Sequence, residues 1–332
     1  MHQLFGRAMF LAHDKDLPKP DDYFSFQLGD RSLTLRKKED APVLLDNVCR
    51  HRSNLIDPPG FGNRKFKCGY HGWTYDHTGS ATFIPLRNCF PDDLSPEPLQ
   101  RFGTTSLNGF HFLGEYDSVR REEISAMLGW CEQPDANHVY RSKMHHKCNW
   151  KLMVENVLEG YHLSHVHSNT FYQLGFSSTN RMENTFNDRD SAFVIHPDEK
   201  LTREALSAFP DIVPSFRHVY VFPNLFITLS NELLYYIGNI VPLNEQESML
   251  HYRIYPTRKL LAADMKARRA FLAGAIQFMD DVLKEDREVL ETSQIGIRGA
   301  SSPYLLGDNE IRIRHFHDVY ERAMSGAAGI RS

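Results

Sequence analysis

Hydrophobic and polar residues change rhythm three times along the chain. Between Asp22 and about Phe83 they alternate in short runs, YFSFQL, SLTLRK, PVLLDNV, KFKC and WTYD, punctuated by Gly29-Asp30, Pro58-Pro59-Gly60 and Gly62-Asn63. Alternation with a period of two, broken by turn-forming residues, predicts a small β module of roughly a hundred residues or fewer. Residues 1–16 read as a short helix or extended lead-in, Pro91 to Pro98 as a passage out of the module, and 120–130 as a helix. From Asn149 the period lengthens. Trp150, Met153, Val154, Val157, Leu158 and Tyr161 fall on one helical face, and Glu155, Glu159 and His162 on the other. Asn149 stands at the N-cap. From His218 the strand signal returns in HVYVFP, LFITLS, LLYYIGNIV and SMLHYRIYP, which predicts an antiparallel meander. A helix-rich end follows over about 262–294, with a shorter helix near 315–324. The expected architecture is α+β, with no repeats.

The polar face of the Asn149 helix reads equally as solvated surface or as a site. His167 lies five residues past His162 and on a continuous helix points elsewhere. If both imidazoles serve one site, the helix must end near Leu163–Ser164 and the chain must turn back.

With 332 residues, the chain has room for one large domain or two ordinary ones. A net charge of −4 gives no sign of a nucleic-acid or membrane-surface partner, and no apolar run reaches membrane-spanning length. The N-terminal LFGRAMFLA is interrupted by Arg7 and followed by HDKD, so it is not read as a signal peptide. Cys49, Cys68, Cys89, Cys131 and Cys148 are odd in number and scattered, which points to a reducing, cytoplasmic setting. Seventeen histidines stand out, because imidazole is the commonest metal ligand.

Cys49-Arg50-His51 and Cys68-Gly69-Tyr70-His71 form C-x-H, a sixteen-residue spacer, then C-x-x-H. Tetrahedral zinc accepts two Cys and two His, but its usual fingers pair like with like. A Rieske [2Fe–2S] centre needs two Cys on one iron and two His on the other, and two loops each giving one of each suit it. The wording VCRHR, then KCGYHGWTYD, resembles the Rieske motif of the Rieske non-haem iron oxygenase large subunits. The resemblance implies Cys49 and Cys68 on one iron, and His51 and His71 on the other. Histidine ligation places such a cluster at about −150 to +300 mV, suited to passing electrons to a more oxidising centre. Gly69 and Ser53 stand where the family often has proline and glycine; neither is a ligand.

An O2-activating iron with open positions is typically held by two His and one carboxylate. NWKLMVENVLEGYHLSHVH resembles the catalytic motif of the same oxygenases, which implies His162 and His167 as iron ligands, with His165 as an internal competitor. In FMDDVLKEDREVLETSQ, Asp286 has Val282, Leu283, Val289 and Leu290 one turn away, so it lies within an apolar stripe. A carboxylate there costs on the order of several kcal/mol unless compensated, as a metal would do. The family's acid also falls at Asp286; Asp280 is the reserve, and Asp281 reads as exposed. Glu159 is placed to hydrogen-bond the His162 nitrogen that faces away from iron. In the family a carboxylate there, more often Asp, bridges to a Rieske histidine of the neighbouring subunit; members that oxidise quaternary ammonium compounds use Glu. Asn156 either lines the iron pocket or is a plain polar residue of the helix.

The resemblance covers nearly the whole chain. It implies an all-β Rieske domain over 1–115 and a mononuclear-iron catalytic domain over 116–332, an antiparallel sheet flanked by helices of the helix-grip type. Family members usually carry a further segment before LFGR, so an earlier start is expected. The implied enzyme is an O2-dependent oxygenase with a [2Fe–2S] cluster and a mononuclear Fe(II). It is fed by a ferredoxin or an NAD(P)H-dependent flavin reductase and assembled as a head-to-tail homotrimer. Its expected reaction hydroxylates or oxidatively dealkylates a small organic substrate, Glu159 tilting it toward quaternary amines. The alternative is a ring-hydroxylating dioxygenase large subunit acting on an aromatic acid or hydrocarbon. A pure electron-transfer protein is the reading from another class, against which His162, His167 and Asp286 argue.

Overall fold

The structure, a computed structural model, describes residues 2–5, 8–39, 41–129 and 138–326; Cys131 lies outside them. The chain forms two compact units, Met1–Ser118 and Val119–Ser332.

In the first unit the alternating runs become a five-stranded antiparallel sheet. Its strands lie in the order Gly60–Asn63, Asp22–Leu28, Arg31–Arg36, Val43–Asp46 and Arg101–Phe102. A second sheet of three strands, Met9–His13, Phe110–Leu113 and Thr104–Leu107, and the small hairpin Thr74–Tyr75/Ala81–Phe83 complete it. Some polar members of the alternation, such as Gln27, Lys65 and Lys67, face water, but others do not. Ser25, Thr34 and Arg36 are buried, as are Asn47 and Asp57. Asp57 accepts from Thr34 Oγ1 at 2.8 Å and Arg36 Nη1 at 2.5 Å, while the Asn47 amide donates to Ser25 Oγ and to the Asp57 carbonyl, both at 2.8 Å. A buried polar cluster is tolerated only when its members are paired in this way. It ties the sheet to the loop that follows Asp46, where the first Cys and His sit.

The second unit is a seven-stranded antiparallel sheet, in the order Tyr140–His146, Ser248–Pro256, Leu234–Pro242, Leu225–Ser230, Phe216–Val221, Ser191–Ile195 and Met182–Phe186. The four strands read from the sequence form its middle. The three others are flanking strands, and the two at the edges, YRSKMHH and MENTF, carry mostly polar side chains, which masks their period. On one face Phe193, His218 and Thr228 are cross-strand neighbours, with Phe216 and Phe226 beside them. Phe226 pairs with Gly238, where a Cβ would come within 2.0 Å of the Phe226 ring; only glycine leaves that ring its place.

Two helices bear on this unit's site. Met265–Ile297 buries Val282, Leu283, Asp286, Leu290 and Gln294 on one stripe, whereas Val289, expected on it, is exposed. Trp150–Val157 begins at its expected cap, with Asn149 Oδ1 accepting from the Lys151 N–H at 3.0 Å. Gln294 Oε1 in turn accepts from the Asn149 N–H at 2.7 Å, fastening one helix to the other. The end of this helix corrects the expectation. It stops at Val157, not near Leu163–Ser164, so Glu159 and His162 lie in the turns beyond it and Tyr161 is exposed. The reason is local. The Glu159 carboxylate accepts from the backbone N–H groups of Tyr161 and His162 (3.2 Å to the latter), offering them an alternative to helical carbonyls.

Candidate metal centres

In the first unit the two Cys/His loops face each other. The Cys49 N–H donates to the Asn54 carbonyl at 2.9 Å and the Ser53 N–H to the Cys49 carbonyl at 3.0 Å, closing the first loop. Ser53 there has a φ of +54°, the left-handed region that favours glycine, which gives the family's usual residue a physical reason. The Gly69 departure is benign, since a Cβ there meets nothing within 4 Å. The Cys49 and Cys68 side chains are buried and share one apolar cluster with Trp73 and Tyr75. The His51 and His71 rings lie outward of them, 4.5 Å apart between centroids, and His51 stacks on Trp73 at 5.2 Å with planes 3° apart.

The donor set matches a cluster held by sulfur within and imidazole without. His51 Nδ1 is buried with no hydrogen-bond partner, as a ligand nitrogen would be. Burial raises the Cys49 thiol. At Cys68 burial acts the same way but is outweighed by N–H groups of Tyr70 and His71, which lower it. The Tyr75 hydroxyl lies 3.2 Å from Cys49 Sγ and is itself held by the Arg50 N–H at 3.0 Å.

In the second unit one ligand atom from each of His162, His167 and Asp286 falls within 4.8 Å of the others. The proton inventory shows why this grouping asks for a cation. His162 Nδ1 contacts Glu159 Oε1, and His167 Nδ1 donates to Glu285 Oε2 at 2.8 Å. A carboxylate only accepts, so in each neutral ring the proton sits on Nδ1 and Nε2 carries a lone pair. Both Nε2 atoms face Asp286 Oδ1, at 3.8 Å and 3.1 Å, and that buried oxygen makes no aligned hydrogen bond. Three lone pairs converging on one spot repel unless a cation or an extra proton lies between them. Burial disfavours the extra proton on His167, but Asp286 and Glu285 together raise the ring above its ordinary value, so proton and metal compete for one place. Burial likewise pushes the Asp286 carboxyl up, yet His167, His162 and the Asn156 side chain bring it below the usual carboxylate range.

These residues open onto a cavity of about 100 Å³, where one water needs about 10–15 Å³. Its walls are mostly apolar, with Phe171, Phe176, Phe193, Phe216 and Phe226 prominent; Asn156 and Glu159 line it as well. His165 is exposed and outside the cluster. Asp280 is engaged elsewhere, accepting from the Tyr252 and Tyr140 hydroxyls, and Asp281 pairs with Gln277 and Lys284 at the surface. Sequence reasoning missed Glu285, whose Oε2 also accepts from Thr170 Oγ1 at 2.7 Å, and His218 on the cavity wall. Adjacency to Asp286 was the available signal for Glu285; His218 sits in an apolar strand run that hides it.

A small β unit with paired Cys/His loops, joined to an α+β unit with a two-His, one-carboxylate cluster over an apolar cavity, defines a class. It is that of proteins carrying an iron–sulfur cluster together with a mononuclear metal. The chain belongs to the family of ring-hydroxylating alpha subunits, whose catalytic-domain profile matches residues 134–326, and the Rieske [2Fe–2S] domain profile matches residues 7–102. A Rieske cluster and a mononuclear iron are the cofactors of this family, and the donor sets above fit both.

Toluate 1,2-dioxygenase subunit alpha of Pseudomonas putida is 28% identical over 51% of this chain and 41% of its own. Choline monooxygenase of Beta vulgaris is 25% identical over 96% of this chain and 72% of its own. The first of these relatives is thus matched over less than half its length. Among solved structures, the quaternary ammonium Rieske monooxygenase CntA superposes with a TM-score of 0.79 at 17% identity, covering 97% of this chain and 90% of that one. Naphthalene 1,2-dioxygenase from Rhodococcus sp. gives 0.75 at 18%, covering 98% and 91%. Among the described residues no helix is long and apolar enough to cross a membrane.

Proposed function

We propose that the protein is an O2-dependent oxygenase that hydroxylates or oxidatively dealkylates a small organic compound. The observation that carries this is the convergence of His162, His167 and Asp286 on one point beside an apolar cavity. In this reading residues 1–115 hold the cluster through Cys49, His51, Cys68 and His71, and residues 116–332 hold the iron through His162, His167 and Asp286. The bound iron supplies the place where O2 is activated, and the cluster supplies electrons one at a time. The chain's own residues do the rest. Glu159 fixes the His162 proton on Nδ1, Glu285 does the same for His167, and the phenylalanine walls exclude water and seat the substrate. In a monooxygenation one oxygen atom enters a C–H bond and the other leaves as water. Two electrons and one proton originate in the hydride of NAD(P)H and the second proton comes from solvent, the electrons passing through a flavin reductase, directly or by a ferredoxin.

In this reading Glu159, already in contact with His162 Nδ1 through Oε1, is the bridging carboxylate that meets His71 of a neighbouring copy in a cytoplasmic homotrimer closed head to tail. The aromatic walls also support the second reading, a ring-hydroxylating dioxygenase large subunit, in which both oxygen atoms enter the product. A surrogate reductase, 18O2 and mass spectrometry against amines, aromatic acids and arenes test both at once. Labelled product is expected, with about three irons per chain in anaerobically purified protein and about two in Asp286→Ala. Two irons in the wild type, unchanged by Asp286→Ala, would refute the oxygenase reading in favour of an electron-transfer protein.

A further inference from the structure

The sheet side of the cavity carries one titratable side chain that the metal site does not use. His218 is 3% exposed and its ring lies between Phe193, at 4.9 Å, and Phe226, at 6.0 Å, each with planes within 10°. Arg312 Nη2 donates to its Nδ1 at 3.2 Å. That bond takes the Nδ1 lone pair, so the neutral ring carries its proton on Nε2, which points away from Arg312 and has no partner. Burial, reinforced by the Arg312 charge, holds the ring far below its ordinary value, so it remains a neutral donor at physiological pH. A ring needed only for packing would be phenylalanine, which fills the same slot between two phenylalanines without leaving a buried N–H unpaired.

Arg312 gives this donor its character. Its other bonds go to Ser191 Oγ at 2.9 Å, the Ser191 carbonyl at 3.1 Å and the Leu158 carbonyl at 3.3 Å, and no carboxylate pairs with it among the described residues. The guanidinium stays protonated even where burial pushes it down to about 9. A cation bound to Nδ1 polarises the imidazole and strengthens the Nε2–H as a donor. The same charge sets a positive potential behind that wall, which disfavours a cationic ligand.

We propose that His218 orients the substrate by donating its Nε2–H to an oxygen of a compound with an apolar, ring-sized body and a carbonyl or carboxylate group, with Arg312 as the positioning residue that sets the tautomer. This rests on the oxygenase reading of the site and narrows it to acceptor-bearing substrates.

The test is calorimetric titration of the anaerobic, iron-loaded protein with four probes of similar shape. These are benzoate, acetophenone, isopropylbenzene (no acceptor) and phenyltrimethylammonium (a cation). Benzoate or acetophenone is expected to bind at least about tenfold (about 1.4 kcal/mol) more tightly than the other two; their order separates carboxylate from neutral carbonyl. His218→Phe is expected to erase that ratio and His218→Gln, which keeps an N–H donor, to retain part of it. Arg312→Met, which frees Nδ1 to take the proton, is expected to lower the ratio while isopropylbenzene binding stays put. Failure of both acceptor probes to bind, tighter binding of the cation, or an unchanged ratio in His218→Phe overturns the proposal. None of these outcomes touches the oxygenase reading, which stands or falls on 18O incorporation and the iron count.

Discussion

Glu285 supplies no ligand atom to the metal cluster, yet the orientation of His167 depends on it. One carboxylate oxygen accepts from both His167 Nδ1 at 2.8 Å and Thr170 Oγ1 at 2.7 Å. The threonine holds the acid, the acid holds the ring, and the ring's Nε2 is left 3.1 Å from Asp286 Oδ1. Glu285→Gln keeps the shape and one acceptor but removes the charge that makes His167 a more basic ligand; Glu285→Leu removes both. Losing an outer partner of a metal-bound histidine typically costs about 10–100-fold in metal affinity, or about 1.4–2.7 kcal/mol. The Glu285 side chain is 23% exposed, so solvent weakens the charge effect and places Gln near tenfold, with Leu nearer a hundredfold. Anaerobic Fe(II) titration against a competing chelator measures this directly. Far-ultraviolet circular dichroism of the same sample reports that the unit carrying Glu285 is folded, and the visible absorption of the iron–sulfur cluster does so for the other unit. Wild-type iron affinity in Glu285→Leu would refute the claim that this carboxylate orients the ligand.

Three further outcomes are expected. Glu159→Gln should keep both metals and their occupancies while nearly abolishing product formation; wild-type turnover in that variant excludes the bridging role. Burial and the neighbouring Cys49 sulfur raise the Tyr75 phenol, so it stays a protonated donor. Tyr75→Phe should therefore lower the cluster's midpoint potential in a redox titration, and an unchanged potential counts against a hydrogen bond to that sulfur. His317 Nε2 lies 2.8 Å from Glu155 Oε1, and this bond raises its pKa despite partial burial. A raised histidine stabilises the fold fully below its unfolded value of about 6.5 and loses that contribution as pH rises through the higher folded value. Wild-type Tm should fall across that window relative to a His317→Gln variant, and parallel Tm curves for the two proteins would remove the pair as the cause.

Legibility in the sequence followed the physics of each element. The Cys/His loops were readable because ligand spacing is local and the turn residues between them are explicit. Asp286 was readable because an acid on an apolar helical stripe is costly without a partner. Edge strands escaped because a polar, half-paired strand has no apolar face to show. Glu285 escaped because its partners, His167 and Thr170, are more than a hundred residues away. The instructive miss is the helix end. Periodicity over Trp150–Tyr161 predicted a helix through His162, and all but the last member of that stripe is at least partly buried. The helix nonetheless stops at Val157, because one side chain, Glu159, takes the N–H groups of Tyr161 and His162 and the ring proton of His162 together. A carboxylate that holds the turn and the imidazole at once removes those N–H groups from the helical ladder. The break in the helix and the orientation of the metal ligand are therefore one event. An isosteric Glu159→Gln, which can still accept those N–H bonds, should therefore preserve the turn and with it the position of His162.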